Sequence, residues 1–378
     1  MKIIIAPDKF KGSLSGIQAA QAIKKGIHRF DASIQTYEHP LADGGDGTLD
    51  VLANFFHLQP VDVLVHDPLF RTINARYFHN HDTAYIEMAN ASGLLLLKPF
   101  ERDCYNSSTL GTGELIADAI HKGYKKIILF IGGSATNDAG IGMAAALGYR
   151  FYNNEGTQVK PTGKNLIEIQ TIDNSSSLLL SNKIDFTVIC DVKNPLYGSH
   201  GAAFVYAAQK GASLVEIEAL DSGLKHFSQI IKENLDVEVA NIPGAGAAGG
   251  LGAGALAFLQ AKMQSGIDFV LKETKFLSLL SQEIDLIITG EGAVDKQTIQ
   301  GKVIKGVSDM AKMNNVPFSI LAGVVYDEKI IQENLQPFAL KSIMNVASNT
   351  DDAMQNAAMY LEKLSFDLVR DFYKHCHK

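Results

Sequence analysis

Hydroxyl, lysine and carboxylate side chains recur in glycine-rich loops that directly follow apolar runs of this sequence. In residues 126–142 an apolar run ends at Gly132 and Gly133, and small polar residues follow. A buried strand that turns into a helix here would direct free backbone N–H groups towards a bound anion. The alternative is a tight turn in which Asn137 or Asp138 caps the helix. The candidate residues for binding substrate or phosphate are Gly132, Gly133, Ser134, Thr136, Asn137 and Asp138.

A second group of chemically capable residues follows the first apolar run, residues 2–6. Lys9 and Lys11 can hold an anion and are candidate catalytic residues, while Asp8 could hold a metal or take a proton. Ser13 adds a hydroxyl at the start of the next helix, so Asp8 and Ser13 are candidate binding residues. The alternative is a loop of solvated charges.

The loop 40–48 contains two aspartates among three glycines. Glycines let a backbone pass close to a ligand, although aspartates in such loops are often only turn residues. We expect Asp43, Gly44 and Gly45 to bind substrate or phosphate, and Asp46 to be a metal ligand. Ser107 and Ser108 precede a helix predicted at 115–121 and are further candidate donors.

Two later strands also end in carboxylates. Asp191 follows a strand at 186–190 and is the candidate base for catalysis; capping of the next loop is the alternative. After a strand at 284–288 the candidates for binding are Gly290, Asp295 and Lys296, with Glu291 as a second metal ligand. Hydroxyl donors, lysines and aspartates at strand ends suit phosphoryl transfer, in which positioning and charge neutralisation carry most of the catalysis.

The sequence lacks the motifs of several other enzyme classes. The sequence has no Walker A pattern and no Gly-x-Ser-x-Gly elbow. Residues 244–249 read Gly-x-Gly-x-x-Gly, but the dinucleotide fingerprint requires a firm strand before it, and 236–240 is a poor one. We therefore expect close packing of backbone on backbone there, rather than NAD binding.

Composition places the chain among globular proteins. It has 378 residues, 46% hydrophobic and 20% charged, with a net charge of −7 and no basic stripe for nucleic acid. Its three cysteines lie far apart and form no CxxC, so neither a zinc site nor a disulfide framework is indicated. No stretch is typical of a membrane span, and we expect a cytoplasmic protein.

The elements that position these residues indicate an α/β fold. Strands and helices alternate at both ends of the chain, whereas runs at 61–65, 73–78 and 84–88 predict an antiparallel meander. Further helices are expected at 14–27, 214–235, 302–313 and 351–368. We predict a discontinuous Rossmann- or flavodoxin-like domain with a parallel sheet, residues 1–60 plus 284–378. A mixed-sheet α/β domain, residues 61–283, would be inserted in it, with the active site in a cleft between them.

The ordered motifs resemble those of the bacterial glycerate kinases across essentially the whole chain. The matching segments are 6–15, 41–48, 132–138, 190–196, 243–250 and 289–302, the last with Gln297, Thr298, Gly301 and Lys302. The resemblance implies two α/β domains, the first assembled from both termini. It also implies phosphorylation of D-glycerate by ATP with a divalent metal. From their chemistry and position, Asp43, Asp46 and Glu291 are our candidates for holding that metal, expected to be Mg²⁺, through water. The family mostly gives 2-phosphoglycerate.

Three positions depart from the family pattern. Lys9 stands where serine is usual, Asp46 where glutamate is usual, and Ala293 where arginine is usual. Loss of the arginine removes a bidentate donor. Either Lys9 or Lys296 replaces its charge, or the step that it serves is weakened. Phosphorylation at the 3-position, another small hydroxy acid as substrate, and a non-catalytic glycerate or phosphate-ester sensor remain as alternatives. The sequence leaves a homo-oligomer open.

Overall fold

The computed structural model describes residues 1–45, 47–296, 298–300 and 302–377, without the side chain of Gln300. Asp46, Gln297 and Gly301, which were singled out above, lie outside the described residues. The strands are β1 (Lys2–Pro7), β2 (Gln35–Glu38), β3 (Gln59–His66), β4 (Thr72–Asn80), β5 (Thr83–Glu87), β6 (Lys126–Phe130), β7 (Arg150–Tyr152), β8 (Thr171–Asp173), β9 (Asp185–Ile189), β10 (Lys262–Gln264), β11 (Leu286–Val294), β12 (Phe318–Val325) and β13 (Ala339–Ser342).

The α-helices alternate with these strands. They are α1 (Gly16–Phe30), α2 (Thr48–Phe55), α3 (Ala89–Ser92), α4 (Leu110–His121), α5 (Ile141–Ala146), α6 (Ala202–Tyr206), α7 (Leu214–Leu235), α8 (Ala247–Leu259), α9 (Gly266–Glu273), α10 (Phe276–Leu280), α11 (Val303–Met313), α12 (Glu328–Leu335), α13 (Thr350–Gln355) and α14 (Ala357–Cys376). None of the helices in the described part of the chain has the length and apolar character needed to cross a membrane.

The first compact unit combines both ends of the chain: Met1–Asp43, Asp50–Phe55 and Ser265–Lys378. Its sheet has the strand order β13-β12-β11-β1-β2, and every pairing is parallel. Apolar runs such as Ile3–Ile4–Ile5 are fully buried, as strands covered on both faces require. Helix α1 begins at a capping box between Ser15 and Gln18. This is the flavodoxin-like order with a parallel sheet that the sequence predicted.

The second unit comprises Gly44–Leu49 and Phe56–Gln264. Its sheet has the order β10-β9-β6-β5-β4-β3, in which β3, β4 and β5 form the predicted antiparallel meander. The pairings β5–β6, β6–β9 and β9–β10 are parallel. The strands β7 and β8 form a separate antiparallel pair. The mixed sheet confirms the α/β class expected for the middle of the chain.

The division differs from the predicted boundaries at 60 and 284. Helix α9 belongs to the first unit because it packs on α11: a Cβ at Gly306 would lie 2.4 Å from Ile267 Cγ1. His39 also contacts Thr274 at 2.8 Å. Residues 265–283 carry few strand signals, so the sequence offered no means of separating them from the middle of the chain.

Several predicted elements have other bounds in the structure. Helix α4 begins at Leu110 rather than at 115, and β11 continues through Gly290 to Val294 instead of ending at 288. Glycines caused both errors. A Cβ at Gly111 would lie 1.9 Å from the carbonyl oxygen of His66, and one at Gly290 would lie 2.0 Å from that of Leu321. These glycines permit close packing inside an element, whereas the sequence suggested that they end it.

Candidate functional site

In the first unit, two buried carboxylates lie where β1 and β11 run side by side. Pro7 pairs with Gly290, and the backbone N–H of Asp8 donates to the carbonyl of Gly290 at 2.8 Å. Asp8 and Glu291 are 7% and 8% exposed. The strand order reverses between β1 and β11, and ligands of doubly wound sheets bind at such a point, beyond the carboxyl ends of the strands.

Nearby positive charges offset only part of the cost of burying these carboxylates. Burial, followed by the charge of Asp43, raises the pKa of Asp8 to about 7. Burial also raises the pKa of Glu291 to about 7, although Thr298 Oγ1 donates to Glu291 Oε1 at 2.8 Å and Lys302 opposes the shift. The charge of Asp43 therefore disfavours ionisation of both Asp8 and Glu291, and a cation beside them would relieve that repulsion.

Among the described residues no three His, Cys, Asp or Glu side chains are close enough together to chelate a cation directly. Mg²⁺ usually keeps several of its waters, so carboxylates that repel one another across a gap fit a hydrated ion. A hydrated ion beside Asp8 would be held by Asp43 and Glu291, whose charges both raise the pKa of Asp8. Asp46 lies outside the described residues.

The other candidates in this unit occupy different positions. The N–H of Lys9 donates to Asp8 Oδ1 at 2.6 Å, and its charge lowers the pKa of Asp8. Lys11 and Lys296 are exposed. Ser13 Oγ donates to the carbonyl of Met354 at 2.7 Å, which is a structural bond. The N–H of Asp295 donates to Thr298 Oγ1 at 3.2 Å, so it supports the residue that bonds Glu291.

An apolar cavity of about 200 Å³ lies at the same edge of this sheet. Phe10 and Lys11 line it from beyond β1, while Ala293 and Val324 line it from β11 and β12. Ala293 is the position at which the family pattern has arginine. A long side chain there would extend from the wall of this cavity, whereas alanine leaves an apolar surface.

In the second unit, three neighbouring parallel strands end together. Glu87 pairs with Phe130, and Phe130 pairs with Ile189, so Glu87, Gly132 and Asp191 lie at one sheet edge. Gly45 and Leu49 also reach this edge: a Cβ at Gly132 would lie 3.4 Å from Gly45 Cα, and Leu49 N donates to Glu87 Oε1 at 3.3 Å. The motifs with Gly44 and Gly132, far apart in sequence, are therefore neighbours. Asp191 is exposed.

The loop 132–138 is fixed mainly through its backbone. The N–H of Leu94 donates to Gly133 O at 2.8 Å, the N–H of Ala135 to Ser92 O at 2.9 Å, and Ser107 Oγ to Ala135 O at 3.2 Å. By contrast, Thr136 Oγ1 and the side-chain oxygen and nitrogen of Asn137 are buried without a partner among the described residues. Buried polar groups are nearly always hydrogen-bonded, so these atoms mark a place for a further partner.

The expected anion cradle at the following helix is wrong in one respect. Helix α5 begins at Ile141, beyond the predicted caps Asn137 and Asp138, and has six residues. The buried carboxylate of Asp138 already accepts from the N–H groups of Gly140 and Gly142, both at 3.2 Å. It also accepts from Thr109 N and Oγ1, both at 2.8 Å. Asp138 thus has a structural role, and Ser108 Oγ accepts from Leu110 N at 3.3 Å at the start of α4.

Two residues at this site were missed by the sequence reasoning. Glu87 ends β5, and a carboxylate at a strand end was the signal used for Asp191. Lys210 is 4% exposed, and its Nζ donates to Ser134 Oγ at 2.6 Å and to Thr136 O at 2.9 Å. Burial lowers its pKa to about 8, against the charges of Cys104 and Asp138. No local pattern separates it from a surface lysine.

The glycine-rich segment 243–252 packs backbone against backbone, as predicted. A Cβ at Gly249 would lie 2.0 Å from Thr136 O, and one at Gly252 would lie 2.1 Å from Gly244 O. In the described part of the chain no strand lies directly before it, since the last strand to precede it, β9, ends at Ile189. The segment therefore supports the loop 132–138 and lacks the strand of a dinucleotide fingerprint.

Comparison with known proteins gives a consistent result. The model of the glycerate kinase family matches residues 3–373. A glycerate kinase of Halalkalibacterium halodurans is 43% identical over 371 residues, covering 97% of each chain. A glycerate 2-kinase of Escherichia coli K12 is 40% identical over 361 residues, 94% of each chain. A crystal structure from Salmonella typhimurium LT2, assigned as glycerate kinase 2, superposes with a TM-score of 0.86 at 36% identity over 100% of both chains.

Proposed function

Because the chain belongs to the glycerate kinase family, we propose that it transfers the terminal phosphoryl group of ATP to the 2-hydroxyl group of D-glycerate, assisted by Mg²⁺. The 2-position is favoured by the printed name of the Escherichia coli relative. The observation that carries the proposal is the meeting of Gly45, Glu87, Gly132 and Asp191 at one edge of the second unit's sheet. Motifs that are distant in sequence converge there, as a small-molecule site requires.

The second unit offers the groups that glycerate needs. The carboxylate and the two hydroxyl groups of glycerate require hydrogen-bond donors and a nearby cation. The amide of Asn137 and the hydroxyl of Thr136 supply unpartnered polar atoms, and Lys210 holds a positive charge against the same loop. We propose that this loop binds glycerate.

The first unit offers the groups that a nucleotide with Mg²⁺ needs. Asp43 and Glu291 suit a hydrated cation, which when bound neutralises the charge of the phosphates. Lys9 and Lys296 are the candidate cations for phosphate oxygens. The apolar cavity lined by Phe10 and Val324 suits the flat face of a purine base.

Asp191 is the proposed base of the reaction. It follows β9 at the edge where Gly132 follows β6, and it is exposed rather than buried. A carboxylate in that position can accept a hydrogen bond from the attacking hydroxyl and take its proton as the phosphoryl group arrives. Phosphoryl transfer otherwise demands alignment and charge neutralisation, which the lysines and glycine loops would provide.

The direct test is to incubate the purified protein with ATP, Mg²⁺ and D-glycerate, and to identify the product by phosphorus NMR. We expect ADP release that depends on D-glycerate and a single 2-phosphoglycerate signal. A 3-phosphoglycerate signal would overturn the proposed position. Thermal stabilisation by D-glycerate without ADP release would identify a sensor instead of a kinase.

Asn137→Ala tests the proposed glycerate site. Loss of an amide that bonds the substrate should raise KM for D-glycerate about tenfold or more, with little change in KM for ATP. Asn154→Ala, an exposed residue of the same unit, is the matched control and should behave as wild type. Equal KM values for D-glycerate in the Asn137→Ala variant and the control would remove Asn137 from the site.

A further inference from the structure

Lys210 is a charged residue that sits inside the second unit without an obvious structural reason. Its side chain is 4% exposed, and it lies more than 70 positions in sequence from the two residues its Nζ contacts. Burying an ammonium group is costly, and an apolar side chain of similar length would usually be tolerated at least as well. Stability alone is therefore a poor explanation for a buried lysine at this position.

The backbone around Lys210 is held rigidly. Its N–H donates to Ala207 O at 3.0 Å, and its carbonyl accepts from Cys104 N at 3.1 Å. Gly211 follows with a φ of +96°, and a Cβ there would lie 1.9 Å from Arg102 O. Residues 102–104 therefore clamp the end of the short 3-10 turn Ala208–Lys210. These contacts fix the position from which the Lys210 side chain extends.

The ammonium group of Lys210 contacts the loop that we proposed to bind glycerate. Nζ donates to the hydroxyl of Ser134 at 2.6 Å and to the carbonyl of Thr136 at 2.9 Å. These two bonds bracket Ala135, whose carbonyl accepts from Ser107 Oγ, three residues beyond Cys104. The orientation of the Thr136 peptide in turn fixes where Asn137 begins, and Asn137 carries the unpartnered amide.

We propose that Lys210 is a positioning residue for the phosphoryl-transfer reaction, holding residues 134–137 in the orientation that presents Thr136 and Asn137 to the substrate. This rests on the proposed function of that loop. Lys210 acts through the loop, and its charge also adds to the field at an anionic ligand. The groups that face it are Cys104 and Asp138, with Asp103 and Glu216 acting on Cys104.

Three variants test the proposal. Lys210→Met removes the charge and both hydrogen bonds while keeping an unbranched side chain, and Lys210→Arg keeps the charge and the donors. Lys232→Met, an exposed lysine on α7 paired with Glu238, is the matched control. We expect Lys210→Met to lower kcat/KM for D-glycerate at least 100-fold, Lys210→Arg to recover part of that loss, and the control to equal wild type.

The pH profile separates positioning from packing. In wild type, kcat/KM for D-glycerate should fall on the alkaline side around pH 8, where the Lys210 ammonium loses its proton. Lys210→Arg should shift that fall to higher pH because a guanidinium stays protonated. A residue needed only for packing would change thermal stability and leave both kcat/KM of the folded enzyme and its alkaline limb unchanged.

Amide hydrogen exchange tests the loop without relying on turnover. In Lys210→Met, residues 134–138 should exchange at least tenfold faster than in wild type, while α7 keeps its protection. Unchanged exchange in those residues, or a folded Lys210→Met with wild-type kcat/KM, would overturn the proposal. If wild type itself releases no ADP with D-glycerate, the proposed function fails, and the exchange experiment still decides whether Lys210 holds the loop.

Discussion

At the scale of single residues, carboxylates at the sheet edges fall into two kinds. Asp8 and Glu291 are buried in the first unit, and burial raises the pKa of each to about 7. Asp191 in the second unit is exposed. A buried carboxylate that is costly to ionise gains most from a cation beside it, whereas an exposed one can be reached by a substrate hydroxyl from solvent. This difference supports the roles proposed for metal and base.

Asp191→Asn should reduce kcat about 100-fold or more, because an amide can orient a hydroxyl but takes no proton at neutral pH. KM for ATP should change little. Circular dichroism and urea unfolding should match wild type, since the residue is exposed. Asp185→Asn is the control, because Asp185 begins the same strand and forms an exposed pair with Lys262. Turnover of Asp191→Asn within a few-fold of this control would remove Asp191 from the chemistry.

The sequence predicted candidate residues that lie where a strand ends, and it missed candidates whose position depends on tertiary packing. Asp8 and Glu291 were found because each is next to an apolar run. Lys210 precedes Gly211 in an alanine-rich stretch and becomes special only because residues 102–104 clamp it. The sequence allows a capping role for Asp138, but its bonds to Thr109 require knowledge of the fold.

At the scale of elements, the amphipathic helix α7 has the bounds 214–235 that its pattern predicted. Elements with internal glycines were less predictable. A Cβ added at Gly113 in α4 would lie 2.3 Å from Met143 O, and one added at Gly254 in α8 would lie 2.4 Å from Ala139 O. A glycine that ends an element and one that lets two elements approach look alike in sequence. The packing partner is what distinguishes them.

Gly249→Ala tests whether the glycine segment supports the candidate loop. Gly249 has a φ of +69°, and its Cβ would meet Thr136 O at 2.0 Å and Asn137 Cα at 2.5 Å. The left-handed backbone and the overlap should together lower the free energy of unfolding by about 2–4 kcal/mol. Displacement of Asn137 should also lower activity in the molecules that remain folded. Urea unfolding and steady-state kinetics measure the two effects.

Gly156→Ala is the control for that substitution. Its φ is +73°, but no atom lies within 4 Å of the added Cβ, so it carries the backbone cost alone, about 1 kcal/mol. Equal destabilisation and equal activity in the two variants would show that the segment 243–252 does not position the loop.

At the scale of the whole molecule, the α/β class and the two sheets can be predicted from the pattern of strands and helices. The exact boundaries between the two units cannot be predicted from that pattern. Both termini contribute strands to one parallel sheet in the order β13-β12-β11-β1-β2. Alternating strands and helices predict this arrangement. Residues 265–283 join the first unit through contacts such as Ile267 beside Gly306, and such contacts leave no periodic signal.

Three buried groups of the first unit make the stability of the protein depend on pH in opposing ways. Burial lowers the pKa of His39 from 6.5 to about 4. Its stabilising effect as a neutral ring is complete above pH 6.5 and is lost as pH falls towards 4, because the unfolded chain then binds more protons. Asp8 and Glu291 have raised pKa values, so their contribution is present below pH 4 and is lost as pH rises to about 7.

His39→Gln isolates the histidine from the carboxylates. His39 contacts Thr274 Oγ1 at 2.8 Å and packs against Phe55 and Phe276. Between pH 7 and pH 4 wild type should lose about 3 kcal/mol more free energy of unfolding than the variant, since glutamine does not titrate. Urea unfolding at each pH measures the difference, in which the carboxylate effects cancel. His121→Gln, at an exposed position, should follow wild type; a His39→Gln profile parallel to both would show that His39 is not buried as a neutral ring.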